Sequence, residues 1–139
     1  VRPGKLTGKW FRSTTWVDDA RTPVLYVYFY PDGGFLYQMA YADGATGAWR
    51  IEGDTVILWS PDFSIVLDSV LLPYGPRRWP NLNKYTDATD DNRDRYLVRG
   101  NKLYPIMKDG INELPLVKIS KKQAKIELQD YPFYYNVKD

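Results

Sequence analysis

Arg77, Arg78 and Trp79 stand side by side in a type and order that suits an anionic or planar ligand. A guanidinium pairs with a carboxylate through a rigid fork of donors, and an indole stacks on flat groups. They fall within 72–94, the least regular stretch of the chain, whose first half carries Pro73, Pro76 and Pro80 with Tyr74, Trp79 and Tyr85. A connection longer than about 15 residues without secondary structure of its own is uncommon, and is either a functional loop or a disordered one. The first half has the composition of an ordered lid, and the polar 86–94 that of a mobile segment. Two readings fit: a recognition site, or a surface loop whose Trp79 covers one end of the fold. In the same stretch Asp87, Asp90, Asp91, Asn92 and Asp94 form the one dense set of oxygen ligands. Calcium asks for about six to eight oxygens in an order such as D-x-[DN]-x-[DN]-G, which this spacing lacks, so a solvated turn is expected and no metal.

Carboxylates for paired acid and base work could be drawn from Asp18, Asp19, Asp43, Glu52, Asp54 or Asp68. Most fall in turns or on polar strand faces. Only Asp68, between Leu67 and Ser69, sits in a run apolar enough to raise its pKa if it faces inward, and one such carboxylate does not make a mechanism. Cysteine and histidine are both absent. A thiolate nucleophile, a Ser-His dyad, a Cys/His zinc site and a histidine proton switch are therefore excluded. The expectation is a protein that is not an enzyme and needs no cofactor.

A second candidate site is the stripe Tyr26, Tyr28 and Tyr30, opposite Leu25, Val27 and Phe29 in one alternating run. A strand apolar on one face and tyrosine-rich on the other keeps both faces partly from water. Either the strand is central and its tyrosines pack under a loop with their hydroxyls reaching solvent, or the stripe walls a ligand cavity, since pockets are largely apolar with a few placed polar groups.

The elements that must position these residues are strands. Gly47-Ala48-Trp49-Arg50-Ile51-Glu52 and Thr55-Val56-Ile57-Leu58 alternate on either side of Gly53-Asp54, a two-residue hairpin turn. Pro31-Asp32-Gly33-Gly34 separates another pair. Alternation and turn residues give strands at 8–13, 24–30, 35–41, 47–52, 55–59, 64–71, 95–99, 102–107, 116–120 and 124–129, with a further extended segment at 133–137. Trp49 and Ile51 read as core, as do Ile126 and Leu128 against Lys125 and Glu127, whereas Trp59 falls out of register with Val56 and Leu58 and suits the rim or exterior. With 139 residues and no linker or repeat, the chain is a single all-β domain over 1–139, an antiparallel up-and-down meander of about 8 to 10 strands closing into a small barrel, with a sandwich as the other arrangement such spacing allows. Its 12 Tyr, 5 Trp and 5 Phe suit strands, wet cavities and interfaces alike. Nineteen basic residues against 17 acidic leave a formal charge of +2 with the signs interspersed, so nucleic acid is not an expected partner. No apolar run approaches the roughly 20 residues of a membrane-spanning helix.

Gly8-Lys9-Trp10 resembles the G-x-W signature of lipocalins. Phe29-Tyr30-Pro31-Asp32-Gly33-Gly34-Phe35, followed by Gly47-Ala48-Trp49-Arg50-Ile51-Glu52-Gly53-Asp54-Thr55-Val56, is similar to bacterial lipocalin-like domains of the cell envelope, best over 6–59. Pro115-Leu116-Val117-Lys118-Ile119-Ser120 and Lys122-Gln123-Ala124-Lys125-Ile126-Glu127-Leu128 follow the closing strands in pattern, and Tyr131-Pro132-Phe133-Tyr134-Tyr135-Asn136-Val137 reads as extended where a lipocalin would have a helix. The resemblance implies a calycin-type barrel in which Trp10 closes the floor and Gly8 makes room for the backbone there. It also implies export as a periplasmic or outer-membrane lipoprotein: Val1-Arg2-Pro3-Gly4 is no signal peptide, yet would suit a short tether behind a lipid anchor upstream of Val1.

The leading functional reading is thus a binding module that holds a small apolar or amphipathic ligand through Tyr26, Tyr28, Tyr30, Arg77, Arg78 and Trp79. The alternative is a protein-interaction module, an inhibitor, immunity or assembly factor, contacting a partner through 72–94 and Trp59.

Overall fold

The computed structural model describes residues 1–31, 33–39, 44–59 and 93–129. Among the described residues there are nine strands, β1 (Trp10–Ser13), β2 (Leu25–Phe29), β3 (Gly34–Met39), β4 (Gly44–Glu52), β5 (Thr55–Trp59), β6 (Arg93–Arg99), β7 (Lys102–Met107), β8 (Gly110–Ile111) and β9 (Leu116–Ile119). Antiparallel pairing runs from each strand to the next through β7, as the tight turns require. In the clearest hairpin, Ile51 faces Val56 and Glu52 faces Thr55 across Gly53-Asp54. β9 then lies between β7 and β1, pairing Leu116 with both Leu103 and Ser13. Eight strands therefore form a closed ring, and β8 is an addition hydrogen-bonded to β7 alone. Closure leaves the ring without the exposed edge that an open sheet would present.

Strand alternation sorts side chains into two cores. Inside the barrel, Phe11, Val27, Phe29, Phe35, Tyr37, Val56, Leu58, Tyr96, Val98, Leu103 and Leu116 pack together, with Trp49 and Ile51 against them. T-shaped contacts link Phe11 to Phe29 and Phe29 to Trp49, at 5.8 and 5.3 Å between centroids. Gly47 allows β4 to pass close to β5, because a Cβ there would lie 2.0 Å from the Trp59 carbonyl oxygen.

The second core lies outside the ring. Trp10, Tyr26, Tyr30 and Leu36 on the outer face of β1 to β3 are covered by Ala124 and Leu128. These two belong to helix α1 (Lys121–Leu128), where the alternation of Ile126 and Leu128 predicts a strand. The spacing that matters is four residues: Ala124 and Leu128 share one helical face, and Ile126 points away, 55% exposed. Ser120 caps the helix by accepting a hydrogen bond from the Gln123 amide at 3.0 Å.

Trp10 is accordingly not the floor of the barrel. It is outward-facing, 5.0 Å from the Tyr28 ring centre, and its place at the base of the inner core is taken by Leu6, which follows a 3₁₀ turn at Pro3–Lys5. Gly8 likewise serves through its backbone: its φ of +74° is a left-handed conformation that lets its amide donate to the Phe29 carbonyl at 2.8 Å, while a Cβ would meet nothing within 4 Å. Trp59, expected at the rim or exterior, is on the outer face as its register demands, yet buried.

The two ends of the barrel differ. The connections after β2, β4 and β6 are tight turns, and with the 3₁₀ turn they close one end. Those after β1, β3, β5 and β7 leave from the other end, spanning 14–24, 40–43, 60–92 and 108–115, and all but 40–43 are longer than the connections at the closed end. Arg93 and Asp94, expected as the end of a loop over 72–94, begin β6 instead. The predicted segments 64–71 and 133–137, and residues 72–92, lie outside the described residues.

Candidate functional site

Among the described residues the buried inner face is apolar apart from Ser13, bonded to the Leu25 amide and Thr15 carbonyl, and three polar side chains that meet toward the end bearing the 14–24 and 108–115 connections, here the open end. Tyr37 comes from β3, and Tyr96 and Asp94 from β6, strands separated by β4 and β5, so the contact crosses the interior of the ring. The Tyr37 hydroxyl donates to Asp94 Oδ2 at 2.9 Å and lies 3.0 Å from the Tyr96 hydroxyl. Both phenols are buried, at 7% and 6% exposure, whereas Asp94 is exposed. Each phenol has one proton and a carboxylate can only accept. With the Tyr37 proton committed to Asp94, Tyr96 donates to Tyr37, and the chain of protons runs from Tyr96 through Tyr37 to the carboxylate.

Burial pushes the Tyr37 hydroxyl well above its ordinary value of 10.0, and the neighbouring Tyr96 and Asp94 push it the same way. Burial also raises Tyr96, an effect only partly offset by its hydrogen bond with Tyr37. Both phenols are thus neutral donors over the whole physiological range, unsuited to proton abstraction there. The phenols can bind and orient a ligand as neutral hydrogen-bonding groups beside the Asp94 carboxylate.

Around it the inner face turns from aromatic to flexible and apolar. Leu25 and Met39 oppose each other on β2 and β3 and are only partly buried against the core. Met107 shares the inner-face parity of Leu103 on β7 and is 55% exposed. The chain has 2 methionines, and both are on this face near the open end. Thioether side chains adapt to ligands of varied shape.

The residues predicted as ligand contacts are placed elsewhere. Tyr26, Tyr28 and Tyr30 are on the outer face of β2, and the stripe packs beneath helix α1 rather than lining the interior. Tyr26 donates to Glu127 Oε1 at 2.6 Å, and Arg12 Nη1 reaches Glu127 Oε2 at 2.5 Å. Burial raises the Glu127 carboxyl, but hydrogen bonds from Arg12, Tyr26 and Gln123 outweigh it and hold the group below its ordinary value of 4.5. Arg77, Arg78 and Trp79 lie outside the described residues, as do Asp43, Asp68 and the oxygen cluster apart from Asp94. Asp18 accepts from the amide and hydroxyl of Thr22, tying the 14–24 connection. Tyr37, Tyr96 and Asp94 were not singled out as a site by sequence reasoning; the signal available was parity, since Phe35, Tyr37 and Met39 alternate with Leu36 and Gln38.

Among the described residues no helix is long and apolar enough to cross a membrane. Neither a family model nor a curated relative matches the chain. Among solved structures, an uncharacterized protein from Bacteroides eggerthii aligns with a TM-score of 0.45 and 12% identity, over 82% of this chain and 99% of its own. A lipocalin-like protein from Bacteroides uniformis aligns with a TM-score of 0.44 and 16% identity, over 84% of this chain and 100% of its own. The strand order itself, an up-and-down ring of eight strands with a helix against its outer wall after the last strand, is lipocalin-like.

Proposed function

We propose that the chain is a non-catalytic binding protein that holds a small apolar or amphipathic ligand at the open end of its barrel. The observation that carries this reading is the change in the inner face along the barrel axis. The closed end is filled by Leu6 and interlocked aromatics, while toward the open end the wall presents partly buried Leu25 and Met39, exposed Met107 and the Tyr37–Tyr96–Asp94 cluster. Apolar walls with a few convergent polar groups are the composition of small-molecule sites. Native mass spectrometry of protein purified from its own host tests it: a retained small molecule supports the reading, and a bare chain that takes up no amphipath when challenged opposes it.

One observation favours the interaction-module alternative. Trp16, Val17, Ile111 and Leu114 are exposed on the 14–24 and 108–115 connections, both at the open end. The buried Trp59 is not available for such a contact. A partner chain rather than a small molecule in the same mass spectra would select this alternative. Export to the cell envelope, as a periplasmic or lipid-anchored protein, is the location such a carrier would have by resemblance; recovery from the cytoplasmic fraction of its host would remove it.

A further inference from the structure

Resting on the binding function proposed above, we infer that the open-end site selects ligands whose polar head donates hydrogen bonds, a protonated amine foremost, and discriminates against carboxylates.

The argument is a count of protons. Tyr96 donates to Tyr37 and Tyr37 donates to Asp94, so the three side chains use both phenolic protons among themselves. What they leave for a ligand is acceptor capacity: the second oxygen and remaining lone pairs of Asp94, and a lone pair of the Tyr96 oxygen. The alternative direction, with Tyr37 donating to Tyr96, would strip Asp94 of a 2.9 Å hydrogen bond and leave the Tyr96 proton without an acceptor inside an apolar core, at the cost of burying an unpaired donor. The carboxylate therefore sets the direction of the whole array.

Charge points the same way. Asp94 is exposed on the inner-face parity of β6, shared with Tyr96 and Val98, and among the described residues no cation pairs with it. Arg93 and Arg95 fall on the opposite face of the strand. Among the described residues, a head group entering beside Leu25, Met39 and Met107 finds the Ser13 hydroxyl near Leu25 already committed to the Thr15 carbonyl, and meets the Asp94 carboxylate with no cation paired to it. An alkylammonium satisfies it with a charge-assisted bond, an alcohol with a neutral one, and a carboxylate faces repulsion. The formal charge of the whole chain, +2, favours anions at long range, so a preference for cations must arise from the site.

Calorimetric titration with dodecylamine, dodecanol and dodecanoate, each below its aggregation concentration, tests this with one chain length and three heads. The amine is expected to bind at least about tenfold more tightly than the acid, the scale of one charge-assisted hydrogen bond, with the alcohol between. Asp94→Asn keeps an acceptor for Tyr37 while removing the charge, and is expected to collapse the amine-over-acid ratio toward one. Asp94→Glu keeps the charge and is expected to preserve the ratio, which covers the case in which Asp94→Asn folds poorly. Dodecanoate binding as well as or better than dodecylamine overturns the inference and leaves the binding function standing. A ratio unchanged in folded Asp94→Asn likewise overturns it. If none of the three binds, the binding function fails, and this inference with it.

Discussion

The Tyr37 hydroxyl reaches across the barrel from β3 to donate to Asp94 on β6, 57 positions away in sequence, at 2.9 Å. This bond and the adjoining Tyr96 contact tie opposite walls of the ring, so their loss should register in stability as well as in binding. Tyr37→Phe removes the middle of the array and leaves the Tyr96 proton buried without its acceptor, an expected loss of about 1–3 kcal/mol in denaturant melts. The double change Tyr37→Phe with Tyr96→Phe removes both hydroxyls and should recover part of that loss. A double variant less stable than Tyr37→Phe alone would contradict the pairing.

The raised phenols also predict an alkaline limit. In the unfolded chain both titrate near the ordinary value of 10.0, and in the folded protein both titrate above it. Between the two values the folded state holds more protons, so stability falls as pH rises through this window and is fully present below it. Melting temperature should drop above pH 10, with the ultraviolet signature of Tyr37 and Tyr96 ionisation appearing only together with unfolding. Tyr37→Phe with Tyr96→Phe should flatten the decline.

On the outer wall the sign is reversed. Glu127, held below its ordinary 4.5 mainly by Arg12 and Tyr26 against the opposing effect of burial, contributes stability that is present above that pH and lost as pH falls through its folded value. Glu127→Gln should weaken the attachment of helix α1 and lower stability at neutral pH by at most about 1.5–3 kcal/mol, the range for hydrogen bonds to a charged group, and should blunt the acid-side decline seen in the parent. Equal acid sensitivity in both proteins would show that the decline arises elsewhere.

Trp10 is buried in the outer core that the helix covers, together with Tyr26, Tyr30 and Leu36. Trp10→Ala is expected to cost about 3–5 kcal/mol, the penalty for emptying a large aromatic site, and to lower helical circular dichroism before the sheet signal goes. A loss below about 1 kcal/mol in denaturant melts would contradict the helix-covered position.

The barrel was legible because each strand of the ring carries its own evidence: Trp49 and Ile51 alternate with Ala48 and Arg50, and Gly53-Asp54 fixes the register of β4 on β5, whereas the two-residue β8 at Gly110–Ile111 falls where turn residues predict a connection. What alternation cannot show is which face closes inward. The tyrosine stripe of β2 and the aliphatic face opposite it are both covered, and only the ring and helix α1 decide that Val27 is inside and Tyr26 outside. The helix itself was hidden by its length. Over so short a segment Ile126 and Leu128 imitate a strand, while the capping pattern Ser120-Lys121-Lys122-Gln123 was the local sign of a helix start. Parity places Tyr37 on the same face as Phe35 and Met39, but its meeting with Asp94 depends on tertiary closure, for which local pattern carries no signal.

The most direct test of a ligand at the open end is methyl nuclear magnetic resonance with carbon-13 methionine, because the 2 methionines, Met39 and Met107, report from the inner face near that end. Titration with the neutral probe dodecanol is expected to shift both methyl signals in a saturable manner. Two methyl signals that stay fixed with dodecanol, and also with dodecylamine and dodecanoate, in a protein whose spectrum shows it folded, would contradict the account.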